Sequence, residues 1–410
     1  MNRVISERWP WAKALSLQQS GVVYALALLI AALQTYSVVT SRPSYLSADN
    51  VVNVLDQASL VAIMAIFMTV VLITGNFDLS VGATAALAGA VALKAVDTVG
   101  APVAILIAVT LGAAIGVLNG VLVQYLGVNA FIVTLGTLTA GRGAVLLLTD
   151  GRTVSATDQS FIDLQSGERQ IPVVVAIIVG LGFAAIAAAL AVRGRAAANR
   201  TITGTVLALG LGSAALLATA VAAPRLLRLP IPVWLMILAA LGAGSVLQLT
   251  VVGRRLYASG GNPEAARLSG ISISRYRVVA FVLNGAAAGF VGVLYAGKLG
   301  AINPQALQGI ELTVLAAAIL GGTSLLGGSG SVFKSVVGAL ILFVLANGFN
   351  ILNLGANWQG LVQGVVIVAA ATVYTTAGRR ARRTKKVREA AGNQTETEAP
   401  HVASKSKTPA

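Results

Sequence analysis

Apolar runs of 14 to 22 residues recur along this chain, most of them long enough to cross the hydrocarbon core of a bilayer as a helix. They fall at residues 21–39, 60–74, 81–96, 102–123, 130–149, 172–192, 202–223, 232–252, 278–296, 311–326, 332–351 and 361–374. Of the 410 residues, 56% are hydrophobic and 10% charged, which no water-soluble domain of this size sustains. Strand-like alternation is absent, which argues against a membrane β-barrel. Aromatics are sparse and glycines number 44, as suits helices that pack closely through small residues. The expected fold is all-α: a polytopic transmembrane helical bundle of about 10–12 spans, some of them discontinuous. Segment 1–19 is read as a cytoplasmic lead-in and 20–376 as the membrane domain. The polar, basic segment 377–410 is read as a disordered cytoplasmic tail.

The formal net charge of +15 does not point to nucleic acid, because its distribution is that of a topology signal. Arg3, Arg8 and Lys13 precede the first run, Arg193, Arg195 and Arg200 share one loop, and Arg379 to Arg388 follow the last run. A fourth basic segment, 254–277, holds Arg254, Arg255, Arg267, Arg275 and Arg277. Lys/Arg-rich flanks remain cytoplasmic, and the runs place even numbers of crossings between these four regions. Both termini are therefore expected inside a bacterial cytoplasmic membrane, with the tail able to touch anionic lipid. There is no cysteine, and His401 in the tail is the lone histidine, so thiolate metal sites and cysteine or histidine catalysis have no residues to work with. No catalytic residue, metal or cofactor is expected.

Polar interruptions of the apolar runs carry the functional candidates. In Gly75-Asn76-Phe77-Asp78-Leu79-Ser80, Asp78 either caps a helix starting near Leu79 or faces a polar cavity beside a broken helix. Thr134 and Thr137 lie in a hydroxyl-rich stretch with Thr139 and Arg142. Such hydroxyls bond to carbonyls of their own helix or line a wet cavity. Glu311 opens an apolar helix, where the N-terminal dipole favours a carboxylate. Gly321-Gly322-Thr323-Ser324 then breaks it. Near the end, Asn347, Asn350, Asn353, Asn357 and Gln359 offer paired donors and acceptors that either bridge helix ends or meet sugar hydroxyls. The candidate translocation residues are thus Asn76, Asp78, Thr134, Thr137, Thr323, Asn347 and Asn350. The stretch 328–335 nearly spells a phosphate-binding loop, but Phe333 replaces the second glycine and apolar helices flank it, so ATP chemistry belongs to another chain.

Within the basic segment, Glu264-Ala265-Ala266 is followed three residues later by Gly270. This pattern resembles the coupling loop of ATP-binding cassette (ABC) importer permeases. Together with NFDLSVG at 76–82, VNAFIVTLGTLTAGRG at 128–143 and ELTVLAAAILGGTSLLGGSGSV at 311–332, it resembles the permease subunits of bacterial monosaccharide importers of the ribose, xylose and arabinose branch. The resemblance covers most of residues 51–374. The extra apolar segments between 172 and 252 are similar in layout to the xylose and multiple-monosaccharide types.

The resemblance implies a homodimer, a separate cytoplasmic ATPase and an external sugar-binding protein. Glu264, Ala265, Ala266, Arg267 and Gly270 would meet the ATPase. Asn76 departs from the glycine or histidine usual in relatives, and Lys334 from a small residue. Permeases of the same superfamily for amino acids, nucleosides or signalling molecules are the nearest alternative. An ion-coupled secondary transporter is more distant, because Asp78 and Glu311 are the only mid-chain acids placed for such a role.

Overall fold

The computed structural model describes residues 17–158 and 229–352, with single positions at 161, 180, 181, 184, 358, 360, 361, 364, 365, 368 and 372. The runs expected at 172–192, 202–223 and 361–374 lie wholly or mostly outside the described residues, as do segment 1–16 and the basic tail. The chain divides into two units, Met1–Gln359 and Gly360–Ala410, and every element below belongs to the first.

In order the elements are α1 (Leu17–Val39), α2 (Ala48–Ile73), α3 (Val81–Val99), α4 (Ala101–Gln124), α5 (Ala130–Thr149), β1 (Val154–Ser155) and α6 (Ile231–Leu249). They continue with α7 (Val251–Gly261), α8 (Pro263–Leu268), α9 (Ile273–Leu299), β2 (Ala301–Ile302), α10 (Ile310–Leu320) and α11 (Val332–Ile351). Among the described residues, eight helices are long and apolar enough to cross a membrane: α1 to α6, α9 and α11. The chain is a polytopic helical membrane protein.

α2 is the central post, buried along most of its length and packed upon by α11, α9, α6 and α10. The closest pair is α4 with α9. Gly112, Gly116 and Gly120 repeat every fourth residue on one face of α4, opposite Gly285, Phe281 and Val278 of α9. A Cβ on Gly112 would collide with the Gly285 carbonyl, so these two backbones touch, as small residues at four-residue spacing permit. β1 and β2 form a two-stranded antiparallel ladder, Val154 opposite Ile302, at the end where α3 finishes. That end also holds Asp97, which accepts from the Asp158 N–H at 3.1 Å. The opposite end carries α8. There Gln124 at the foot of α4 donates to Ser274 and accepts from Arg277, both in the first turns of α9.

Four sequence-predicted boundaries move. α2 begins at Ala48, well before the apolar run at 60, because Asn50, Asn53, Asp56 and Gln57 break hydropathy without breaking the helix. The run 232–252 divides at Thr250, whose hydroxyl accepts from the Gly253 N–H and starts α7 afresh. Arg275 and Arg277 belong to α9 rather than to a loop. The span expected over 311–326 stops at Leu320, where Gly321 and Gly322 turn the chain. α10 has 11 residues and is about 16 Å long, half a bilayer core.

Candidate functional site

The predicted docking segment is a six-residue helix with both ends closed by local chemistry. Asn262 is the N-cap, its side-chain oxygen accepting from the Ala265 N–H at 3.1 Å, and Pro263 occupies the first turn, where a missing donor costs nothing. Glu264 adds negative charge at that positive end. At the other end Gly270, with φ +76°, lets the Ile271 N–H reach the Ala266 carbonyl and its own N–H reach Arg267, both at 3.0 Å. This doubly bonded glycine stop gives the final glycine of the pattern its conformational reason. Ala266 is buried against the protein, whereas Glu264, Ala265, Arg267 and Gly270 are exposed. Leu268 presents 86% of its surface.

Immediately before α8, backbone meets backbone. Gly260 lies so close to the Ile73 carbonyl that a Cβ there would overlap it, and the same carbonyl accepts from the Gly328 N–H at 2.9 Å. A Cβ on Gly327 would fall 2.8 Å from Gly75 and 2.9 Å from the Gly260 oxygen. The Tyr257 hydroxyl donates to the Gly330 carbonyl at 2.8 Å, and burial pushes this phenol up from its ordinary value, which keeps it a donor. α7 therefore abuts both the α2–α3 break and the α10–α11 turn.

The translocation candidates separate into distinct clusters. Asp78 is fully buried and closes a turn onto Ser80, accepting from its N–H at 2.9 Å and its hydroxyl at 2.6 Å. α3 starts only at Val81, so the expected cap on a helix from Leu79 becomes a turn before the helix. The other carboxylate oxygen accepts from Asn284 of α9 at 3.1 Å. Ser80 accepts from Asn119 of α4 at 3.0 Å, and Asn119 accepts from Thr137 of α5 at 2.6 Å. One polar chain thus ties the α2–α3 break to three other helices. Asn119 and Asn284 escaped the sequence reading. Each is a lone carboxamide in an apolar span, preceded by Val-Leu and followed by Gly, and a lone intramembrane polar residue is itself a signal.

Thr134 bonds only its own helix, to the Ala130 carbonyl at 2.8 Å. Thr323 stands 3.4 Å from Ser335, which lies 2.7 Å from Thr69 of α2. Asn76 reaches Thr74 at 3.2 Å. Asn347 donates to Asn50 at 3.0 Å near the end away from α8, and Asn350 is exposed there.

A second long-range tie centres on Arg142 of α5. Its guanidinium donates to the carbonyls of Ala306 at 2.6 Å and Leu307 at 2.7 Å, and lies 3.9 Å from Glu311. Glu311 also accepts from the Gly309 N–H at 3.2 Å at the start of α10. Among the described residues, no group of His, Cys, Asp and Glu is arranged to hold a metal.

Bundle and buried polar ties together define a multi-pass helical membrane protein. The chain belongs to the family described as branched-chain amino acid transport system / permease component, which matches residues 50–371. It is 35% identical over 372 residues to the ribose import permease RbsC of Escherichia coli K12, covering 90% of this chain and 98% of that one. It is 36% identical over 376 residues to the xylose transport system permease XylH of the same strain, covering 90% and 94%. The Haemophilus influenzae XylH is 35% identical over 372 residues, covering 89% and 98%. No solved structure matches the chain.

Proposed function

We propose that this chain is the permease subunit of an ABC importer that carries a monosaccharide, xylose or a related pentose or hexose, into the cytoplasm. The observation that carries the reading is the Glu264-Ala265-Ala266 helix, closed at both ends and exposed in an arginine-rich segment. The ribose and xylose permeases similar to this chain supply the substrate class. Glu264, Arg267 and Leu268 offer a charged and apolar surface to a separate ATPase. Two copies of the chain enclose the path, an external binding protein delivers the sugar, and both termini lie in the cytoplasm. ATP-driven closure of the ATPase displaces α8 and shifts the bundle between outward- and inward-open states, to the extent that the ATPase contacts differ between them. The chain itself makes and breaks no covalent bond.

The test is ATP-dependent uptake of labelled xylose, ribose and leucine into vesicles holding the chain, its ATPase and its binding protein. Wild type is expected to accumulate a pentose only with ATP. Glu264→Arg is expected to lose uptake together with co-purification of the ATPase. Retention of both by the variant would overturn the docking assignment. Uptake of leucine alone would move the substrate to the amino-acid branch, and uptake driven by a proton gradient without ATP would discard the importer reading.

A further inference from the structure

The loop between β2 and α10 runs without regular structure at membrane depth. Arg142 is the thirteenth residue of α5, about 18 Å along it from Ala130 and about 10 Å short of its other end. The two carbonyls it holds, Ala306 and Leu307, therefore lie well inside the end of the bundle at which β1 and β2 pair. A second measure agrees. The Leu307 carbonyl would lie 3.0 Å from a Cβ on Gly82, the second residue of α3, whose far end at Val99 is about 25 Å away.

Irregular backbone at that depth is tolerated only where protein buries it or where it lines a water-filled cavity. This loop is buried on one side and open on the other. Ala306 and Leu307 are buried, and Arg142 satisfies their carbonyls, while Asn303, Gln305, Gln308 and Gly309 are exposed. Leu307 is held at φ +57°, a conformation a branched side chain adopts only under constraint, and such constraint gathers at functional positions. Gln308 follows it directly. A carboxamide exposed to lipid would forfeit its hydrogen bonds, so its exposed side is the wet one.

We infer that Gln305 and Gln308 line the translocation path and bind hydroxyl groups of the passing solute, with the Arg142 clamp fixing the loop that presents them. The inference rests on the importer reading for its polyhydroxyl ligand. A carboxamide both donates and accepts, which matches a hydroxyl, and two of them three residues apart present such pairs in succession.

The chain has no cysteine, so single cysteines report water access with no background from the permease chain itself. Gln305→Cys and Gln308→Cys are compared with Leu147→Cys, which lies on an exposed apolar stretch of α5. Each is assembled with the ATPase and binding protein and treated with a membrane-impermeant methanethiosulfonate reagent. Both glutamine positions are expected to react, more slowly while xylose-loaded binding protein and ATP drive turnover, and Leu147→Cys is expected to stay unlabelled. Gln308→Leu should lower maximal xylose uptake per ATP about three- to tenfold, the loss of one hydrogen bond to a neutral group. Its ATPase should still co-purify in full. Absence of labelling at both glutamine positions in assembled complexes would overturn the path assignment. Labelling with unchanged uptake per ATP in Gln308→Leu would overturn the solute contact. Should the complex carry leucine instead, the sugar reading falls, while labelling still decides whether this loop faces the path.

Discussion

At the scale of single residues, the sequence marks where polarity interrupts the apolar runs and leaves open which groups meet. Asp78 is conspicuous as an acid between two apolar runs, yet Asn284, which donates to it, and Asn119, which donates to its partner Ser80, come from two distant helices, and only folding assembles them. Its carboxylate accepts three hydrogen bonds with no basic residue among the donors. Asp78→Ala strands those donors in the interior, at about 1–3 kcal/mol for a buried group left unpaired. The purified protein should then melt several degrees lower in detergent, and Asp78→Asn, which keeps one acceptor, should fall between the variant and wild type. An unchanged midpoint for Asp78→Ala would mean that the network contributes nothing to stability. Thr134 makes the opposite point: as conspicuous in sequence as Thr137, it bonds only its own helix.

At the scale of elements, α8 was the most legible. Asn262 before it, Pro263 at its start and Gly270 after it are local signals, and local hydrogen bonds close both ends. The foot of α2 was the least legible, since a hydropathy window discards a polar helical turn although Asn50 and Asp56 find partners in Asn347 and Lys298. The shortness of α10 could be anticipated from Gly321-Gly322, but its depth could not, because depth is set by Arg142 from a helix far away in sequence. The α4–α9 seam yields a prediction of its own. Gly112→Val forces a branched side chain into the Gly285 backbone and should cost about 1–3 kcal/mol, read as lower thermal stability and lower abundance in the membrane. Gly136→Val, with open space around it, should cost little by comparison. Equal losses at the two positions would show that backbone contact is not what the seam depends on.

At the scale of the whole molecule, run spacing conveys the polytopic plan, and the eight described apolar helices keep to it. Nothing in one chain's sequence states how many copies assemble, because a surface that meets lipid and one that meets a second copy would both be apolar. The importer reading predicts two copies per complex, so mass measurement of the detergent-solubilised assembly should return two permease chains with the ATPase. A single copy would leave the path open on one side and contradict the proposal.

The contact of Gly260 with Ile73 and of Gly327 with Gly75 has a mechanical meaning. Side chains between two moving parts act as springs, since rotamers change and methyl groups slide before the load is passed on. Here nothing softer than main chain lies between them. On the importer reading, a push delivered to α8 would therefore reach the turn that orients Asp78 and the turn that ends α10 together, with little travel lost on the way.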